Sequence, residues 1–428
     1  MSPAHDPVEF FREVAATHPR CFWLDGGGAR EWSGRRSIIG WLEADDLSLT
    51  YTAATREVTR HEGGASEVVG TDIFAALEAE LSAGDPAGQW FGYLGYACRP
   101  DLPARTDRGG LPDAVWMRPR QVRMFDHEPP SRSSRFPREA SYGDHEPHQG
   151  PGEAPSAYAA AFDQVQEQLL AGNSYEVNLT YRLETSTDIG PADAYLRLRT
   201  LNPAPYAGFL QHDVPRARAW LLSSSPERYA TITADRMIET KPIKGTTPRG
   251  ATPEEDEALR DRLATEPKFR SENLMIVDLL RNDLAMVCDP GSVEVPVLMD
   301  VESYETVHQL VSTVRGHLRD DVSTMGALRA LFPAGSMTGA PKLRTMTIIE
   351  EVEESPRGAY AGAFGWVSAD GRADLGVVIR SLMSSGDGTF LLGTGGGITV
   401  HSDLADEYAE SLWKAARLRR VFQGTPDS

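Results

Sequence analysis

Lys244 is the first residue in this chain whose setting suggests chemistry. It lies in the stretch Glu239-Thr240-Lys241-Pro242-Ile243-Lys244-Gly245-Thr246-Thr247-Pro248-Arg249-Gly250. Pro242 stiffens the approach, and Gly245 lets the backbone come close to a ligand. An amine must lose its proton to act as a nucleophile, and a rigid, desolvated turn favours the neutral form. The same spacing suits a strand end followed by a basic turn, so the stretch alone leaves both readings open. Glu227 follows Ser225-Pro226 on a tight turn, where a carboxylate is ordinarily solvated. Arg380 sits in the apolar context Val377-Val378-Ile379. An unpaired guanidinium there is costly, which makes it a candidate clamp for a planar anion. Glu407, Glu410 and Lys414 share one face of the last predicted helix. That face suits either a salt-bridged surface or, with Glu272 from another helix, a hard divalent cation held by two carboxylates, water and substrate oxygens. In Gly395-Gly396-Gly397 the missing side chains let amides reach a ligand oxygen.

The elements that must position these residues are legible in the apolar periodicity. Helices are predicted over 72–83, 157–171, 267–284 and 403–421. Strands are predicted at 22–24, 37–42, 90–96, 175–183, 220–223, 229–233, 237–239, 359–368, 374–382 and 390–392. Gly335-Ser336-Met337-Thr338-Gly339-Ala340-Pro341-Lys342 reads as a loop feeding a helix to about Glu354. Thr338 is its possible cap and Pro341 a first-turn residue; such a helix start could hold an anion or simply be capped. Gly26-Gly27-Gly28 reads as a turn, because it lacks the strand and helix that flank a dinucleotide site. The stretch 128–155 is rich in Pro, Ser, Arg, Gly and His without apolar periodicity. It divides the chain into an N-terminal domain at 1–125, a flexible linker at 126–156 and a catalytic domain at 157–428.

A chain of 428 residues can bury a large core. A net charge of −19 argues against nucleic acid and anionic membranes as partners, though not against a small anion in a local basic pocket. No apolar run approaches a membrane span and no leader pattern opens the chain, so a cytoplasmic enzyme is expected. Cys21, Cys98 and Cys288 are widely separated, which suggests neither disulfides nor a zinc knuckle.

The motifs SPER at 225–228, PIKGTTPRG at 242–250, ENLMIVDLLRNDL at 272–284, GSMTGAPK at 335–342, YAGAFG at 360–365, VIRSL at 378–382, and GGGI with EYAE at 395–410 come in a specific order. Together they resemble the chorismate-binding family, which includes anthranilate synthase component I, aminodeoxychorismate synthase component I, and isochorismate and salicylate synthases. The resemblance implies an α+β fold, a large antiparallel β-sandwich surrounded by helices. It also implies Mg2+ on Glu272 and Glu410 with Glu407 nearby, and Glu227 as the acid that protonates the departing C4 hydroxyl of chorismate. Tyr360, Arg380, Gly395, Gly396 and Gly397, with Thr246 and Lys414, would hold the substrate.

Two positions sort this family by chemistry. Its water-using members carry a lysine base where this chain has Glu176. Anthranilate synthases usually carry alanine where this chain has Lys244, whereas members that aminate C4 carry lysine. In that subgroup the lysine attacks C2, then ammonia adds at C4 and expels it, giving 4-amino-4-deoxychorismate for 4-aminobenzoate formation. No cysteine lies in a glutaminase nucleophile turn, so the ammonia is expected from a separate glutamine amidotransferase. Three departures stand out. Phe269 replaces an acid three positions before Glu272. Gln309 replaces a histidine of the aromatising branch, with His308 beside it. Phe22-Trp23-Leu24-Asp25 replaces the tryptophan-pocket pattern. Anthranilate synthesis and a catalytically silent paralogue are the alternatives.

Overall fold

The computed structural model describes residues 6–26, 36–107, 109–127, 153–304 and 307–423. Most of the expected linker, and Gly27 and Gly28 of the glycine turn, lie outside the described residues.

Two large sheets dominate, and every strand pairing among the described residues is antiparallel. The first runs Gly339–Ala340, Glu176–Ser186, Thr389–Ile398, Ser381–Ser384, Ala219–Ser225, Tyr206–His212, Arg20–Leu24, Arg36–Trp41, Gln121–Asp126. The second starts at Ile243–Pro248 and Val307–His317 and ends at Glu57–Glu62 and Ala65–Gly70. Strands from before and after the 126–156 stretch share both sheets, so the boundary expected near 125 separates stretches of sequence and not sheets.

Period-two alternation places the layers. On Arg20–Leu24, Phe22 faces the other sheet and stacks on Phe91 at 4.1 Å between ring centroids. Its neighbour Trp23 faces the opposite way, into an outer core with Phe11, Tyr195 and Leu418 from three helices. The helices Ser156–Leu170 and Lys342–Val352 cover the strand Glu176–Ser186 through Phe162, Val165 and Ile348.

Three of the predicted helices appear as Ile73–Ala83, Ser156–Leu170 and Pro267–Ala285, and the fourth as Leu404–Arg420. Asp72 caps the first of these through Phe74 and Ala75 amides. The helix Pro7–Thr17 was not foreseen. Its signals were Asp6, which accepts from the Val8 amide, and Pro7 in the first turn.

The predicted strand 374–382 is two strands, Ala373–Val377 in the second sheet and Ser381–Ser384 in the first. Arg380 therefore lies at a corner where the chain crosses between sheets, with φ at 51°. Ser225 and Arg228 flank an equivalent crossing, which contains Glu227. The two corners support each other: the Val377 amide donates to the Glu227 carbonyl at 2.9 Å, and the Ser224 amide to the Arg380 carbonyl at 3.2 Å.

Candidate active site

Both corners open into one cavity of about 320 Å3. Every residue marked as a candidate lines it: Lys244 and Glu227; Thr246, Tyr360, Arg380 and Lys414; Gly395, Gly396 and Gly397; Glu272, Glu407 and Glu410.

Lys244 arrives on a bulged strand. Met237–Lys241 and Ile243–Pro248 run in succession along Val307–His317, interrupted at Pro242. Ile243 pairs with Val311 and Thr246 with Gln309, so Lys244 and Gly245 share the space of one partner residue. Gly245 has φ at 95°, and a Cβ there would come within 2.9 Å of Leu263 Cδ1 and 3.0 Å of Phe269 Cδ1. The departure at Phe269 thus packs an apolar ring against the bulge that presents Lys244.

The Lys244 ammonium is buried and donates to Glu176 Oε1. Burial by itself would lower its pKa, as the sequence suggested. Glu176, Glu272 and Glu227 together outweigh burial and hold it above the ordinary lysine value. The expectation of a neutral amine in a desolvated turn is therefore corrected: the resting lysine is an ammonium with an acid partner. That partner was visible in the sequence only as a discriminating position. The other oxygen of Glu176, Oε2, is buried without a hydrogen-bond partner among the described residues.

Glu227 behaves oppositely. Burial pushes its pKa to about 7, against a 2.5 Å hydrogen bond from the Ser336 hydroxyl and the charges of Lys244 and Lys414. Ser336 comes from the segment expected to offer a helix N-terminus. Thr338 does not cap that helix; its hydroxyl turns to the Ala334 and Gly335 carbonyls, and Pro341 occupies the cap position without a side-chain bond. Ser336 and Met337 are what this segment gives the cavity.

Arg380 is pushed down to about 10 by burial and by Arg417. Among the described residues it makes no salt bridge, and it lies 5.7 Å from the Trp413 ring centroid. A partly buried cation facing a cavity in this way calls for an anionic ligand. Across from it, Thr389–Ile398 pairs with Ser381–Ser384 only as far as Leu392, while Gly393 to Ile398 remain paired to Glu176–Ser186. One edge of the glycine segment thus faces the cavity. Its lack of side chains is required: a Cβ on Gly393 would meet the Tyr360 ring at 2.2 Å, and one on Gly397 would meet Glu176 Oε1 at 2.2 Å.

The acidic helix face expected from the sequence is formed. Lys414 binds Glu410 at 2.7 Å and the Gly395 carbonyl at 3.0 Å. Glu407 accepts from Ser402 at 2.7 Å and Lys268 at 3.3 Å. Lys414, ahead of the opposing burial, holds Glu410 below the usual carboxylate range. Glu272 has no hydrogen bond or ion pair to the described residues, and burial raises it to about 7. No three His, Cys, Asp or Glu side chains among the described residues gather closely enough to form a metal cage. An unpartnered Glu272 facing Glu410 across a polar cavity does fit a cation that takes few protein ligands and keeps water.

His308 points away from this cavity, bonded to Ser303 and Asp256, while Gln309 lines it. Sequence reasoning did not find Ser336, Asn178, Lys268 or Trp413, which also line it. These residues converge only through the fold.

The family of chorismate binding enzymes matches residues 19–420. The chain belongs to that family. An aminodeoxychorismate synthase from Streptomyces pristinaespiralis is 40% identical over 98% of this chain, which spans 64% of that relative's length. An anthranilate synthase component 1 from Haloarcula marismortui is 34% identical, over 96% of this chain and 88% of its own. Among solved structures, anthranilate synthase component I from Streptococcus pneumoniae superposes with a TM-score of 0.72 at 26% identity, covering 90% of this chain and 92% of its own. The α+β sandwich inferred from the motifs is therefore the observed fold. This chorismate-binding enzyme has no described helix long and apolar enough to cross a membrane.

Proposed function

We propose that this chain converts chorismate and ammonia to 4-amino-4-deoxychorismate, with ammonia delivered by a glutamine amidotransferase. The observation that carries the reading is the placement of Lys244, paired with Glu176, in one cavity with the protonated-range acid Glu227.

Arg380, the glycine edge and Lys414 would hold the carboxylates of chorismate. Glu272 and Glu410 would hold Mg2+, which when bound supplies positive charge to a substrate carboxylate. Glu176 takes the proton of Lys244, and the freed amine attacks C2 of the ring. The electrons shift through the two conjugated ring double bonds and expel the C4 hydroxyl, which takes the Glu227 proton and departs as water. Ammonia then adds at C4, the ring electrons shift back, and the lysine nitrogen leaves C2. A proton from the incoming ammonia returns to the enzyme, so the sum is chorismate plus ammonia giving the amino product plus water.

Anthranilate formation is the second reading, favoured by the Haloarcula relative's coverage. His308, turned to Asp256 outside the cavity, speaks against a histidine-assisted aromatising step. The deciding assay supplies chorismate, Mg2+ and ammonium, with and without a 4-amino-4-deoxychorismate lyase. Release of 4-aminobenzoate only with the lyase supports the proposal. Anthranilate formed without it, or chorismate left unchanged, refutes it.

A further inference from the structure

The strand Glu176–Ser186 starts with two polar side chains, Glu176 and Asn178, on one face. Glu176 accepts from Lys244, and Asn178 lines the cavity while only 7% exposed. The Asn178 side-chain amide donates to the Ser336 carbonyl at 3.0 Å. A carbonyl only accepts, so the NH2 group must face Ser336 and Oδ1 must turn away. That oxygen is buried without a hydrogen-bond partner among the described residues. An unpaired buried acceptor costs stability, so packing alone would favour an apolar side chain of similar size. What Asn178 contributes is its one directed bond.

That bond reaches the acid through a single turn, Gly335–Met337. The turn closes on the Ala334 and Gly335 carbonyls, which accept from the Met337 and Thr338 amides at 3.0 and 3.1 Å, and the Ser336 carbonyl is taken by Asn178. The Asn178 backbone is itself held on both sides. Its amide donates to the Thr338 carbonyl at 2.9 Å, and its carbonyl accepts from Arg357 at 2.8 Å. From this fixed point the turn extends the Ser336 hydroxyl to Glu227 Oε1 at 2.5 Å. Glu227 belongs to a different segment, the crossing between the two sheets. The hydroxyl therefore meets the carboxyl only while turn and crossing stay aligned, and such a bond weakens steeply with misalignment.

We propose that Asn178 is a positioning residue: by holding the Ser336 carbonyl it aims the Ser336 hydroxyl at Glu227. The role of Glu227 as the acid rests on the proposed amination of chorismate; the chain of contacts from Asn178 to Glu227 does not. One strand then governs both proton-handling groups, Lys244 directly through Glu176 and Glu227 indirectly through Asn178 and Ser336. Of the charged side chains in the cavity, Lys244 from Ile243–Pro248 and Lys414 from Leu404–Arg420 act on Glu227. Arg380, Lys268 and the carboxylates Glu272, Glu407 and Glu410 line the other walls.

The test is a double-mutant cycle that leaves all of these charges in place. Asn178→Val suits the strand and removes the donor; Asn178→Ser, too short to reach the carbonyl, is the second variant. The midpoint for loss of the Glu227 proton is read from the carboxyl infrared band that Glu227→Gln removes, and separately from the alkaline limb of the lyase-coupled pH–rate profile. Losing a hydrogen bond to a charged group moves such a midpoint by roughly one to two units. Both Asn178 variants should move it upward by roughly half a unit or more, and no further than Ser336→Ala does. Adding Asn178→Val to Ser336→Ala should then move it no further, because the hydroxyl that Asn178 aims is already gone. An unmoved or lowered midpoint in either folded variant overturns the proposal, as does full additivity in the double variant. The infrared midpoint needs no turnover. If it moves as expected while wild type makes no amino product, the positioning role stands and the proposed reaction fails.

Discussion

Removing the Ser336 hydroxyl should move the alkaline limb of the pH profile upward. The 2.5 Å bond from Ser336 to Glu227 favours the ionised carboxylate, and burial opposes it, leaving a pKa of about 7. A hydrogen bond to a charged group contributes about 1.5–3 kcal/mol, and one pKa unit corresponds to about 1.36 kcal/mol. Ser336→Ala should therefore raise the Glu227 pKa by roughly one to two units. The sign follows from the role: an acid that must donate a proton is competent below its pKa. Wild-type rate per unit of free ammonia should fall about tenfold per pH unit above the limb near 7. In Ser336→Ala the same fall should begin roughly one to two units higher, and in Glu227→Gln it should vanish along with about 10²–10⁴ of the rate. The assay is lyase-coupled release of 4-aminobenzoate across a pH series at saturating chorismate, with rates divided by free ammonia. A limb in Ser336→Ala that stays in place or moves down would refute the assignment of Glu227 as the acid. So would a limb that survives in Glu227→Gln.

Other expectations follow from the neighbouring groups. Lys244→Ala should lose on the order of 4 kcal/mol of transition-state stabilisation, about 10³-fold in rate, while still binding chorismate in a calorimetric titration. Glu176→Gln removes a charge that raises the lysine pKa, so the basic-form limb of the pH–rate profile should shift to lower pH while the rate falls about 10²–10⁴-fold. Arg357→Leu leaves the Glu353 carboxylate buried without its partner and should lower stability by about 3–5 kcal/mol in urea unfolding.

By itself the sequence determined the residue types and their local spacing. Helical periodicity put Glu407, Glu410 and Lys414 on one face, and they are found together in the cavity. Ordered motifs identified the family and, through it, the antiparallel sandwich, because such motifs preserve side chains tied to one chemistry. What spacing could not show were effects that depend on distant partners. Lys244 and Glu176 are 68 positions apart, and Ser336 and Glu227 are 109 apart. Electrostatics falls with distance in space, so the charge state of Lys244 and the proton on Glu227 were decided only when the sheets brought these groups together. The same holds for Arg380. Apolar flanks made it look like part of one strand, and only the crossing between two sheets revealed the corner that aims it into the cavity.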